Sequence, residues 1–290
     1  MLAALWAAAS LAAAAAPDAL PAAATPAERE LWSKAEAALS RATSSDDASR
    51  AAADEAARSF ETAASTSASP GPAWLRAARI HKVTAEVAAA RAAALRGGSA
   101  SPQLELAARE AQVCADDARR AWKLSAPEAA QAAQAGKAAA EVSALVPAEA
   151  AEPLYLEAVC AGIWARAQGV TPLLERAAEL RTALSRVAAL SADLDEAGAD
   201  RELGRLLSAI PAYAGGDLDG AKAHFERALK IAPVARTRVA YAECVAVKIQ
   251  DRKLFQDQLA IVIAADDKSA TADKARALLQ RIDELFGKAH

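Results

Sequence analysis

The chain predicts an all-α protein, a helix-hairpin array of the α-solenoid type with about 10–12 helices. Three observations carry that expectation. Alanine supplies 89 of the 290 residues, and alanine has the highest helix propensity of any residue. No period-two run of β-branched and aromatic residues occurs, as a sandwich or barrel would need. Prolines and glycines, twelve of each, leave helix-length segments joined by short connections, and short connections make antiparallel neighbours.

The first element is a leader. Leu2 to Ala16 is a run of apolar and small residues without charge, followed by Pro17 and a Pro- and Ala-rich stretch to Pro26. The run is too short for a transmembrane helix, which takes about 20 residues, and has the shape of a signal peptide. Residues 1–24 are therefore expected to be a signal peptide and leader and the rest an exported protein, the alternative being an alanine-rich leader on a cytosolic one. No Lys or Arg precedes Arg29, and no cysteine near the small-residue cleavage sites offers a lipid attachment point.

Residues 25–290 are expected to be one helical domain. Ala27 to Ala42 and Asp46 to Ser65 make the first hairpin, with Ser44 and Ser45 as cap candidates. Trp74 to Leu95 ends at Gly97-Gly98, and Pro102 starts a helix to about Leu124. Pro127 to Leu145 is a further helix, rich in Ala, Gln, Glu and Lys. Leu154 to Gln168 and a helix from Thr171-Pro172 to Leu190 follow, with proline at a first turn where its missing N–H costs nothing. Residues 27–150 are read as irregular alanine-rich hairpins and 151–290 as recognisable repeats.

The repeat is the most specific feature. Asp217, Ala221, Phe225, Ala228 and Pro233 are matched 34 residues later by Asp251, Phe255, Leu259, Val262 and Asp267. Thirty-four is the period of tetratricopeptide repeats (TPR). Ala221 and Ala228 allow two helices to approach, Phe225 fills the space against the next hairpin, and Pro233 ends the helix. Gly162 and Gly169 take the places of a repeat's small packing residue and its turn. Ala272 to Phe286, apolar at three- and four-residue steps, suits a capping helix.

The segments Leu203 to Pro233, Tyr241 to Asp266 and Ala275 to Phe286, with their GGD, HFERAL, QDR and RIDELF runs, resemble the TatT family, the T component associated with tripartite ATP-independent periplasmic (TRAP) transporters. Leu154 to Gly169 and Ser191 to Gly204 extend the likeness. The resemblance implies a periplasmic, TPR-like homotrimer with ligand-sized clefts that associates with the TRAP solute-binding subunit.

In a TPR hairpin the first helix lines the concave surface. The register places Leu203, Leu206, Ile210 and Tyr213 there, then Thr237, Ala240, Cys244 and Val247, with Leu156, Val159 and Ile163 equivalent in the Trp164 helix. Such a wall fits a hydrophobic small molecule or an apolar partner helix; the same residues fit equally an ordinary core covered by neighbouring helices. Peptide-clamping repeats use Asn, Lys and Arg at these places, and this chain has no asparagine.

Other chemistries find no support in the sequence. A net charge of −3, from 34 basic and 37 acidic residues, lacks the basic excess that nucleic acid requires. Cys114, Cys160 and Cys244 have no C-x-x-C pairing and read as small core residues. His81, His224 and His290 have no partner at metal-ligand spacing. Carboxylates such as Glu105, Glu110, Asp193, Asp195 and Glu196 alternate with arginines as solvated faces. Neither enzyme nor cofactor is expected. The reading is a binding component of a TRAP-type transporter; the alternative is a generic TPR scaffold for protein–protein interactions unrelated to transport.

Overall fold

The computed structural model describes residue 20 and residues 24–42, 47–95, 100–265 and 270–287. Among these residues there are fourteen α-helices and no strand. The chain divides into two compact units, Ala3–Arg186 and Val187–His290. Nearly all of the expected leader, the cap candidates Ser44 and Ser45, and Gly97-Gly98 lie outside the described residues.

The first unit contains α1 (Pro26–Leu39), α2 (Asp47–Thr66), α3 (Gly71–Ala94), α4 (Ser101–Ser125), α5 (Pro127–Gln134), α6 (Ala139–Ala144), α7 (Ala151–Gln168) and most of α8 (Val170–Leu190). Thr25 opens α1 with a capping box: its hydroxyl accepts from the Glu28 N–H, and the Glu28 carboxylate accepts from the Thr25 N–H. The single helix expected from Pro127 to Leu145 is two. Gly136 turns left-handed at φ +72, and Lys137 N donates to Ala132 O while Gly136 N donates to Ala133 O, a pairing that ends a helix. Gly169, at φ +119, likewise ends α7 as the turn expected there.

Consecutive helices α1 to α4 pack side by side, and α7 packs on α3 and α4. Alanines fill most of the interface. Ala35, Ala38, Ala53, Ala56, Ala57, Ala63 and Ala64 surround Trp32, Phe60 and Ile80. Trp32 meets Phe60 edge-on at 5.0 Å between centroids, and the Arg76 guanidinium lies 5.1 Å from the Phe60 centroid.

The second unit runs α9 (Gly198–Ala209), α10 (Leu218–Ile231), α11 (Ala235–Tyr241), a π-turn at Ala242–Ala246, α12 (Arg252–Ala265), α13 (Ala270–Gln280) and α14 (Ile282–Phe286). The capping helix expected from Ala272 to Phe286 is thus broken, with Arg281 leaving helical backbone at φ −98 and ψ 11. The 34-residue repeat is physical. Ala221, Phe225 and Ala228, and their counterparts Phe255, Leu259 and Val262, are all buried. Asp217 accepts from Gly220 N at 2.9 Å and Asp251 from Leu254 N at 2.8 Å, so both repeats start on the same side-chain cap. Phe225 stacks on Tyr241 at 5.5 Å, and Phe255 packs on Phe286 at 5.1 Å.

One contact sets the distance between α9 and α10. A Cβ at Gly204 would lie 2.7 Å from two carbons of the Phe225 ring, so only glycine admits that ring where it stands. We expect Gly204→Ala to destabilise the protein by about 1–3 kcal/mol through overpacking. Adding Phe225→Leu, which vacates the ring's space, should make the double variant more stable than the sum of the two single losses, as chemical denaturation of all four proteins would measure.

Candidate functional site

Of the nine residues expected to line a concave wall, Leu156, Val159, Ile163, Leu203, Leu206 and Ile210 are buried, as are Thr237 and Ala240 beside them. Cys244 and Val247 are half-buried. Tyr213, in the turn between α9 and α10, stands 89% exposed. Leu156, Val159 and Ile163 belong to the first unit and the others to the second. An open groove of about 540 Å³ lies elsewhere, lined by Leu31, Lys34, Ala51, Glu55, Arg58, Ser59 and Thr62 of α1 and α2. Its lining is mixed polar and apolar, unlike the apolar wall expected.

The first unit holds a cluster of charge that the sequence reading missed. His81 on α3 places Nδ1 2.8 Å from Glu110 Oε2 of α4 and Nε2 3.0 Å from Glu61 Oε1 of α2. Burial lowers the affinity of the ring for a proton, but hydrogen bonds to Glu110 and Glu61 outweigh it and raise the His81 pKa to about 9. The ring is then an imidazolium that donates from both nitrogens. Asp117, one helical stripe along from Glu110, is 1% exposed. Burial and then the Glu61 charge raise its pKa to about 7. Its Oδ1 accepts from Arg120 Nη1 at 3.0 Å, whereas Oδ2 is buried without a hydrogen-bond donor among the described residues. Glu110, expected on a solvated face, is therefore an interior residue. The available signal was the i, i+4, i+7 stripe Glu110–Cys114–Asp117, two carboxylates on the face of α4 that also carries Ala107, Ala111, Ala118 and Ala121 into the core.

In the second unit Asp200, also buried, accepts from Arg227 Nε at 2.7 Å and from Arg227 Nη2, and His224 Nδ1 lies 2.8 Å from its Oδ1. Asp195, Glu196 and Ala197 form a left-handed turn at φ 50, 56 and 59, a backbone that costs a non-glycine residue on the order of 1–2 kcal/mol. Two arginines hold it. Arg201 donates to the Asp195 and Glu196 carbonyls at 3.2 and 3.3 Å, and Arg236 donates to the Asp195 carbonyl and carboxylate at 2.7 Å each. Asp195, read as solvated, is thus half-buried and clamped, while Glu196 stays exposed as read.

The TRAP transporter T-component family matches the chain over residues 103–286, well over half its length. The chain belongs to that family. No curated protein matches it. The matched segment of this T component takes in α4 to α14 and leaves out α1 to α3, so Glu110 and Asp117 fall inside it while Glu61 and His81 do not. No helix among the described residues is long and apolar enough to cross a membrane.

Cys114 and Cys160 also fall within the match and are core residues, and the structure adds a pairing that the sequence left open. They are joined as a disulfide between α4 and α7, with Cα atoms 6.0 Å apart, and Cys244 alone is free. Burial pushes the Cys244 thiol up. Thiol titration of the unfolded T component without reductant should therefore count one thiol per chain, and three after reduction. The bridge closes a loop of 46 residues, so reduction should lower stability by about 4 kcal/mol on the chain-entropy estimate.

Asp200 generates a pH prediction. Burial raises its pKa, but hydrogen bonds from His224 and Arg227 outweigh that and hold it below the ordinary 3.8. A depressed carboxyl pKa stabilises the fold above the unfolded value, and that stability disappears as pH falls through the folded one. Asp200→Asn should cost about 1.5–3 kcal/mol at pH 6. The gap to wild type should close as denaturation is repeated below pH 3.8.

Proposed function

We propose that this protein is a non-enzymatic, periplasmic T component that binds the solute-binding subunit of a TRAP transporter, with an apolar face as the contact. The observation that carries this reading is the family match over residues 103–286. Two others support it. A disulfide belongs to chains that fold in an oxidising compartment, and the leader pattern of residues 1–24 fits export. A hydrophobic small molecule bound by the same face, and a homotrimer, belong to the same proposal.

The nine apolar residues divide by burial into two roles within it. Tyr213, Cys244 and Val247 reach solvent and can touch a partner directly. In the second unit Leu203, Leu206 and Ile210 support that face from within and reach a ligand only if a helix moves, whereas Leu156, Val159 and Ile163 are interior residues of the first unit.

The test is co-purification. Tagged protein isolated from the periplasmic fraction of its own host should carry a TRAP solute-binding subunit in stoichiometric amount, and should be trimeric by light scattering. A different client and no transporter subunit would favour a generic scaffold instead. Ile210→Glu should unfold the second unit, because it puts a charge at a site only 7% exposed. Tyr213→Glu should leave the thermal midpoint within a degree or two and weaken capture of the subunit at least tenfold.

A further inference from the structure

We propose that Glu61, His81 and Asp117 form a binding site for a first-row divalent metal ion of the zinc type, with Glu110 orienting the His81 ring. One ligand atom from each of the three lies within 4.8 Å of the other two. They come from α2, α3 and α4, so the site ties three consecutive helices together.

Two independent observations point to a cation. The first is the donor set. Nδ1 of His81 is engaged by Glu110 at 2.8 Å, leaving Nε2 facing Glu61 at 3.0 Å, where the ion would take the place of the Nε2 proton and release it to solvent. Donors around a four-coordinate zinc, at about 2.0–2.2 Å from the ion, sit a little over 3 Å apart, so Nε2 and the Glu61 oxygen are already near the required spacing. A ligand histidine whose other nitrogen is held by a carboxylate is the usual arrangement around such metals. The second is Asp117. Its side chain is 1% exposed, and its Oδ2 is buried with no hydrogen-bond donor among the described residues. A buried carboxylate oxygen left without a donor is costly, and a cation shared with Glu61 and His81 would satisfy it.

The surrounding charge agrees. Asp54, Glu61, Glu110 and Asp117 act on one another or on His81, against the single imidazole and the rim arginines Arg58, Arg109 and Arg120. The imidazole donor selects the class of metal: zinc and its neighbours accept nitrogen ligands, whereas calcium and magnesium take oxygen. Glu61, with its side chain 29% exposed, is the entrance to the site. Three protein ligands leave a fourth position for water.

The test uses the full chain in a Cys244→Ser/His290→Gln background, which removes the free thiol and the other terminal donor from competition. Calorimetric titration with zinc chloride should give one ion per chain, and cobalt(II) should give the visible absorption of a low-coordinate site. His81→Gln and Asp117→Asn should each lower zinc affinity at least a hundredfold, and Glu110→Gln about ten- to a hundredfold without changing the stoichiometry. Far-UV circular dichroism checks folding. If Asp117→Asn unfolds, Glu61→Gln at the exposed entrance replaces it, with a loss of at least tenfold expected. Failure of the background protein to bind zinc at one per chain would overturn the proposal. So would binding that persists undiminished in folded His81→Gln or Glu61→Gln protein.

Discussion

Interfaces built from alanine hold helices together only at short range. A buried methyl contributes well under the roughly 1.5–3 kcal/mol of a buried Leu, Ile or Phe, so the first unit gains little from each pair of facing residues. It compensates by bringing helix axes close around Trp32, Phe60 and Ile80, and by adding bonds of other kinds. Arg79 of α3 grips Glu152 of α7 through two hydrogen bonds at 2.7 and 2.8 Å. Glu157 of α7 accepts from Arg119 at 2.6 Å and from the Trp122 indole, both on α4. The Cys114–Cys160 bridge joins the same two helices.

The same scarcity of large side chains brings polar groups into the interior. Where alanines leave room, long side chains cross from helix to helix, and each must find a partner because an unpaired buried charge is expensive. Arg76, 1% exposed, pairs with Glu36 and lies over Phe60. His81 bridges Glu61 and Glu110 across three helices. The cluster around His81 is thus a product of the composition as much as of any single residue, and within it Asp117 Oδ2 lacks a hydrogen-bond donor among the described residues.

The second unit follows different physics, and its sequence is easier to read for that reason. Its interfaces bury Phe225, Phe255, Leu259 and Tyr241, so positions recur at a fixed interval and the three apolar pairs of the 34-residue match are in fact buried. The repeated Asp caps were legible too, since a side-chain cap depends only on residues three apart. What the period did not show is that a first-helix register position can be either surface or core. Leu203, Leu206 and Ile210 satisfy the pattern and are covered; Tyr213 satisfies it and is bare. Periodicity gives the face of a helix, and only the neighbours decide whether that face meets solvent.

The sequence by itself determined the helical class, the positions of most helices, the 34-residue register of the second unit and the family likeness, because each rests on local propensity or on a fixed spacing. It missed two helix breaks: at Gly136, where one glycine among strong helix formers turns left-handed, and at Arg281. Tertiary structure alone decided the pairing of Cys114 with Cys160, 46 residues apart, and the meeting of His81 with carboxylates 20, 29 and 36 positions away. Contacts of that separation depend on which helix faces come together and at what distance. In an alanine-rich array that distance is set by the smallest side chains, which carry the least information about their partners.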